Sequence, residues 1–305
     1  MKQIAFILHG KIKNHYKIIV GIKAHFGDTA TLTFLVTQHA NHASELARTA
    51  VLNGATHVVC IGGDGSLNEV INGVMSANSN NVNEIRIGLL PNGTGNDFAR
   101  TIGVTYEIAL LKKWIEEDSY RVVDIGWTEY FDGDGQQASR YFVNITDVGI
   151  GGAIAQRLAN SSKVLGPTIT YQKAILTALL TYKNQPVKVH ADSFDYEREV
   201  MSLIVANGRF FGGGMGIAPD ALPDDKLFSV VIVGKISILE YLMNLGKIKK
   251  SKKIEHSEIK YLTAAQLLIE SSIGPLPIDM DGEFVGYTPL KLKVVPAAIK
   301  FISPK

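Results

Sequence analysis

Apolar and polar positions alternate in two rhythms along the first 125 residues. The run QIAFIL (3–8) is unbroken and predicts a buried strand, while Ile18, Ile19, Ile22 and Phe26 recur at helical spacing. The β-branched run TLTFLVT (31–37) is followed by Ala43, Leu46, Ala47, Ala50 and Val51, again with helical period. HVVCI (57–61) predicts a third strand and SLNEVINGVM a helix, with Ser66 and Glu69 at the spacing of a capping box. IRIGLL (85–90) predicts a fourth strand, followed by a glycine loop and helical segments to about residue 117. Repeated β-α units imply a parallel, doubly wound sheet, in which ligands bind at the carboxyl ends of the strands.

The rhythm changes after Asp124. RVVDIGWTEY and RYFVNITDVGI flank FDGDGQQ, which predicts a hairpin loop. Residues 167–183 carry a helical pattern, and VKVHA, EVMSLIVANG, FSVVIVG, IKYLTA and QLLIES read as strands. The second half is therefore expected to be antiparallel and β-rich, with the change of architecture near residue 127. No linker, internal repeat or low-complexity tract separates the halves.

Composition narrows the function class. The chain has 305 residues, 46% hydrophobic and 20% charged, with a formal net charge of +2. That charge provides no strong field for nucleic acid. The single cysteine, Cys60, excludes a disulfide framework and fits a reducing compartment. The opening MKQIAFILHG is too short in its apolar core for a secretion signal, and the longer apolar stretches are broken by charges or glycine. A soluble, cytoplasmic protein is expected.

Two loops carry candidate chemistry, GGDGS (62–66) and PNGTGNDFAR (91–100). Each joins a predicted strand to a predicted helix. Glycine permits close backbone approach, and N–H groups at a helix N-terminus favour an anion, so each loop is a candidate phosphate cradle. Neither fits a Walker A pattern, a dinucleotide fingerprint after the first strand, or the protein-kinase motifs. Each loop also carries an acid, Asp64 or Asp97. A carboxylate repels bound phosphate unless a cation lies between, and Mg²⁺ suits that place.

These residues resemble the catalytic signatures of the diacylglycerol kinase and sphingosine kinase family, in particular its bacterial soluble lipid kinases. GGDGS differs from the family's G-G-D-G-T only in keeping the hydroxyl as Ser66. VTQHANHASELA (36–47), VDIG (123–126), VANGRFFGGGMGIAPDALPDDKL (205–227) and DMDGE (279–283) are similar to further family segments. The resemblance implies a Rossmann-like nucleotide-binding α/β domain over residues 1–126 and 290–305, and a β-sandwich domain over 127–289. It implies that Gly62, Gly63, Asp64, Gly65, Ser66, Leu67 and Asn68 cradle the phosphates of ATP, and that Thr37 and Thr94 contact the nucleotide. Asp64, Asp97 and Asp124 would form the acidic network around catalytic Mg²⁺. Glu283 would accept the proton of the acceptor hydroxyl. Leu222, Asp225 and Leu227 would hold a second, structural Mg²⁺, the leucines through backbone carbonyls. Two positions depart from the pattern: His9-Gly10 replaces the family's Asn-Pro, and Lys226 replaces the glycine of D-D-G.

Asp281-Gly282 is a strong hairpin signal, and Glu283 reads equally as the first exposed residue after that turn. Phosphoryl transfer needs an oriented, deprotonated acceptor, which favours the base. The implied substrate is a lipid, diacylglycerol first, with a sphingoid base or phosphatidylglycerol as alternatives. The segment 168–182 could line an apolar pocket or be an ordinary core helix. Five lysines between 247 and 253 could meet anionic headgroups or form a solvated loop. The eight histidines show no metal-binding spacing. A two-fold dimer is left open. A soluble-substrate relative such as an NAD kinase shares a G-G-D-G loop but not NGTGNDFAR, and a non-catalytic sensor of the same fold would be consistent with the altered His9-Gly10.

Overall fold

In the computed structural model, which describes residues 1–77, 84–161 and 167–304, the first four apolar runs alternate with helices as expected. They form β1 (Lys2–Leu8), α1 (His15–Phe26), β2 (Ala30–Val36), α2 (His42–Leu52), β3 (His57–Gly62), α3 (Asp64–Met75), β4 (Arg86–Pro91), α4 (Asp97–Ile102) and α5 (Ile108–Glu116). The strands are parallel in the order β2-β1-β3-β4, with Leu8 level with both Val36 and Ile61. Every residue of β3 is buried, which is why it reads as a continuous apolar run rather than an alternating one. Ile22 and Phe26 of α1 and Leu111 and Ile115 of α5 pack with Ile4, Phe6, Leu8, Val59 and Ile61. α2 and α3 cross closely: a Cβ at Gly73 would lie 2.1 Å from Ser44 O, so only glycine fits there.

The remaining elements are β5 (Tyr120–Phe131), β6 (Gln137–Phe142), β7 (Ile145–Gly149), α6 (Ile150–Ala159), α7 (Pro167–Thr181), β8 (Gln185–Ala191), β9 (Asp195–Val200), β10 (Ser202–Ala206), β11 (Phe228–Val233), α8 (Ile238–Lys249), β12 (Ile259–Ala264), β13 (Gln266–Glu270), β14 (Pro277–Met280) and β15 (Glu283–Ile302). The chain divides into Met1–Ile125 with Pro296–Lys305, and Gly126–Val295. It leaves the first unit within β5 and re-enters it within β15, whose end runs parallel to β4 with Lys300 level with Arg86.

The second unit is antiparallel. One path runs β12-β11-β10-β7-β14-β15, and a second runs from β15 through β13 and β8 to β9. Their inner residues, together with Phe142 of β6, share a core that includes Val189, Leu203, Phe228, Ile269 and Leu292, with Phe142 stacked on Phe228 at 5.4 Å. Leu290 and Leu292 belong to this core, so residues 290–295 lie with the second unit.

Three local expectations change. EVMSLIVANG breaks at Met201 into β9 and β10, where Met201 N donates to Val233 O. GGAIAQRLA, assigned to no element from the pattern, forms α6; Gly152 lets it sit against β14, since a Cβ there would lie 1.9 Å from Pro277 O. The lysine-rich segment begins on a helix, α8, rather than in a loop.

Candidate active site

The two glycine loops pack backbone against backbone. A Cβ at Gly93 would lie 2.4 Å from Gly63 Cα, and Asn92 N donates to Gly62 O at 2.7 Å. Glycine is therefore required first by the contact between the loops. Asn96 holds the second loop in shape, accepting from Gly93 N and donating to Gly93 O, each at 2.9 Å. Thr94 is exposed at that loop's tip.

The expected capping box is corrected. α3 begins at Asp64 with Gly63 extended before it, and Ser66 lies within the first turn rather than capping it. Glu69 instead serves the neighbouring helix: its two oxygens accept from Asn41 N at 2.9 Å and Ala43 N at 3.0 Å. Asn41 sits in the left-handed region with no cap bond from its own side chain, so the start of α2 takes acceptors from α3.

Asp64 makes the same exchange with α4. Its Oδ2 accepts from Asp97 N and its Oδ1 from Phe98 N, both at 3.0 Å. These charge-assisted bonds tie the first loop to the helix that follows the second. Asp97 is buried and has Arg100 Nε 3.9 Å away. A Cβ at Gly95 would lie 3.0 Å from Asp97 Oδ2 and 3.1 Å from Asp64 Oδ2, so the Gly95 backbone passes close to both carboxylates. Two neighbouring carboxylates are hard oxygen donors of the kind that suit Mg²⁺ keeping part of its water shell.

Asp124 is buried, with Oδ1 accepting from Ala297 N at 2.7 Å. Leu67 and Asn68 face inward, and Asn68 accepts from Asn72 Nδ2. Thr37 is buried, its Oγ1 accepting from Gly10 N at 2.9 Å, and a Cβ at Gly10 would lie 2.1 Å from Thr37 O. The His9-Gly10 departure thus has a local reason: the loop after β1 passes against the end of β2.

In the second unit, Glu283 opens β15 just after the Asp281-Gly282 turn. Its Oε2 accepts from Arg140 Nη2 at 3.0 Å, and its side chain is 42% exposed. Asp281, more than a turn residue, accepts from Val143 N, Asn144 N and Ile145 N at 2.9–3.0 Å. That clamp pins the hairpin to the start of β7.

Two further acids beneath the hairpin went unnoticed in the sequence. Asp279 on β14 stands directly opposite Asp147 on β7. Burial pushes the Asp147 carboxyl up to about 7, against the opposing pull of bonds from Ser202 Oγ and the Gly151 and Leu203 N–H groups. Burial first, then the charges of Asp147, Asp281 and Glu283, hold Asp279 well above the carboxylate range. Asp279 Oδ1 is buried with no hydrogen-bond partner. Burial of two carboxyls in such a place favours their protonated forms. Folded values raised above the unfolded ones give stability that is complete below about pH 4 and is lost as pH rises through about 7. Asp279→Asn removes one charge and adds a donor. It is expected to raise stability more at about pH 8 than at about pH 4, because the raised carboxyl it replaces disfavours folding only above the unfolded carboxylate range. Denaturant unfolding at the two pH values measures this, and equal effects at both would refute the raised Asp279 carboxyl.

Leu222 and Leu227 are exposed, and Asp225 Oδ1 accepts from Leu227 N at 3.0 Å. Lys226 has φ 66°, a conformation that favours the glycine it replaces, so the loop keeps the shape at a steric cost. Asp225 also lines a cavity of about 430 Å³ with Asp220, Ser229, Lys253 and Tyr261.

The histidine reading is corrected at one place. His39, His42 and Glu45 bring ligand atoms within 4.8 Å of one another, the one such group among the described residues. The spacing escaped notice because the group straddles the start of α2. Gln38 N donates to His42 Nδ1 at 3.0 Å, so the neutral ring carries its proton on Nε2 and has no lone pair free for a metal. The segment 168–182 falls on α7, where Leu176 and Leu180 are exposed; the side chains of residues 167–172 lie outside the described ones.

Comparison with known proteins agrees with this architecture. Residues 9–128 match the model of the diacylglycerol kinase catalytic domain, and residues 145–303 that of the YegS C-terminal NAD kinase beta sandwich-like domain. A diacylglycerol kinase of Staphylococcus carnosus is 29% identical over 88% of this chain and 83% of its own length. The Shewanella frigidimarina protein named "Probable lipid kinase YegS-like" is 26% identical over the whole chain and 94% of its own. A crystal structure of a diacylglycerol kinase from Bacillus anthracis has the same fold, with TM-score 0.71 and 21% identity over 99% of this chain and 97% of that one.

Proposed function

We propose, for a chain that belongs to the diacylglycerol kinase and YegS-like family of lipid kinases, that it transfers the γ-phosphoryl group of ATP to a lipid hydroxyl with Mg²⁺, diacylglycerol being the first acceptor. The observation that carries this reading is the packing of Gly63 against Gly93, which joins two glycine loops into one surface beside the N-terminus of α3. Backbone N–H groups there suit phosphate oxygens. Gly62, Gly63, Gly65 and Ser66 would receive the phosphates, and Thr37 and Thr94 the rest of the nucleotide.

Asp64 and Asp97 would hold Mg²⁺ largely through water, with Asp124 in the surrounding acidic network. The ion, when bound, offsets phosphate charge that would otherwise repel these carboxylates. Glu283 takes the acceptor's hydroxyl proton as the oxygen attacks the γ-phosphorus. The bond from that phosphorus to the β-γ bridging oxygen breaks, and ADP leaves with that oxygen. Arg140 fixes the orientation of the Glu283 carboxylate. Leu222, Asp225 and Leu227 would supply a carboxylate and two carbonyls to a second Mg²⁺.

A relative named as a probable lipid kinase, with no acceptor in its name, supports keeping a second acceptor class within the same chemistry, a sphingoid base or phosphatidylglycerol. Labelled ATP with a panel of these lipids separates the readings. Labelled diacylglycerol supports the first, and another labelled lipid the second. Nucleotide binding without any labelled lipid would overturn both and leave a sensor. No helix among the described residues is long and apolar enough to cross a membrane, so the enzyme would meet its lipid from the bilayer surface.

A further inference from the structure

We infer that the outer face of α8, with the lysines that end it, is the docking surface for an anionic lipid bilayer. This rests on the reading above that the acceptor is a lipid held in a membrane.

α8 has two distinct sides. Tyr241, Asn244, Leu245 and Ile248, at helical spacing i, i+3, i+4, i+7, are half-buried or buried. Two of them meet the 211–216 loop: Tyr241 Oη donates to Met215 Sδ at 3.9 Å and Gly216 N donates to Ile248 O at 3.0 Å. Leu239, Leu242, Met243 and Gly246 repeat the same spacing on the other side. Leu239 and Met243 are each 66% exposed and Leu242 51%. A solvated helix has no reason to collect three large apolar side chains on its outward stripe. The helix is also set in place, because Ser237 and Glu240 form a complete capping box at its start.

Charge identifies the partner. Lys247, Lys249, Lys250 and Lys252 are exposed at the C-terminal end of the stripe. Among the described residues, none of the four has a carboxylate within ion-pair distance, whereas Lys253 is paired with Asp220 and lies over the Tyr261 ring. A second copy meeting this face about a two-fold axis would bring like charges together. An anionic headgroup layer meets them with opposite charge, while Leu239, Leu242 and Met243 enter the boundary of the acyl region. Three apolar side chains alone bind weakly, so the lysines and the stripe are needed together, which gives reversible docking.

Sedimentation of the full chain with vesicles, without ATP or acceptor, tests this. Wild type is expected to bind vesicles of equal parts phosphatidylcholine and phosphatidylglycerol, to ignore phosphatidylcholine alone, and to release as salt rises. Lys249→Ala with Lys250→Ala and Lys252→Ala should weaken binding about a hundredfold, from roughly fivefold per lysine. Leu242→Glu with Met243→Glu should weaken it at least about tenfold. Both variants should melt like wild type and phosphorylate a short-chain, water-dispersed acceptor normally, but lose turnover on vesicles.

Wild-type binding by either variant would overturn the proposal. So would a dimer in light scattering that Leu242→Glu with Met243→Glu dissolves while wild type ignores vesicles. Vesicle docking with no lipid phosphorylated would uphold the surface and refute the kinase reading instead.

Discussion

Glu283→Gln is expected to fold, bind nucleotide, and lose turnover by about a hundred- to ten-thousand-fold, the range for removal of a general base. The substitution keeps the shape of the side chain and one oxygen to accept from Arg140, now 3.0 Å from Oε2. It removes the ability to take a proton. The side chain is 42% exposed, so little stability is at stake. Single-turnover kinetics with the acceptor lipid, beside nucleotide binding by fluorescence, separates chemistry from binding. Turnover near wild type would remove Glu283 from the reaction, and Glu283 would then be only the first residue after a hairpin, tied to Arg140.

The second large effect belongs to Asp64→Asn. Both oxygens of Asp64 accept backbone N–H groups at the start of α4. An amide retains one acceptor and turns an N–H toward the other donor, leaving a group unpaired. A charge-assisted bond lost in this setting costs about 1.5–3 kcal/mol, a fall in melting temperature of roughly 5 °C. Turnover should fall further, on the order of a hundredfold, because the second glycine loop loses its anchor to the first. Melting temperature and kinetics measured on one preparation check both parts. An unchanged melting temperature with lost activity would mean that Asp64 acts through the ion alone and that the tie to α4 is idle.

These cases mark how far the sequence could be read. Unbroken apolar runs announced β1, β3 and β4, because strands covered on both faces leave no polar positions to blur the pattern. Gly62, Gly63, Gly93 and Gly95 announced themselves as loops at strand ends. The partners of the polar groups beside them were not legible. Ser66 and Glu69 have the spacing of a cap, yet Glu69 reaches Asn41 and Ala43, close in space and far along the chain. α6 and α8 were missed for a similar reason, since glycines in one and outward leucines in the other disturb the usual periodicity.

Asp147 and Asp279 make the limit clearest. Nothing local sets either apart, and only the pairing of β7 with β14 makes them neighbours. The sequence by itself determined which segments of the first unit become strands and helices, where the glycine turns fall and which acids are available, because spacing along the chain is enough to specify these. Tertiary structure alone decided which acid caps which helix, which carboxyls burial pushes up and which apolar face of α8 stays outside. Those outcomes depend on desolvation and hydrogen bonding between groups that only folding brings together.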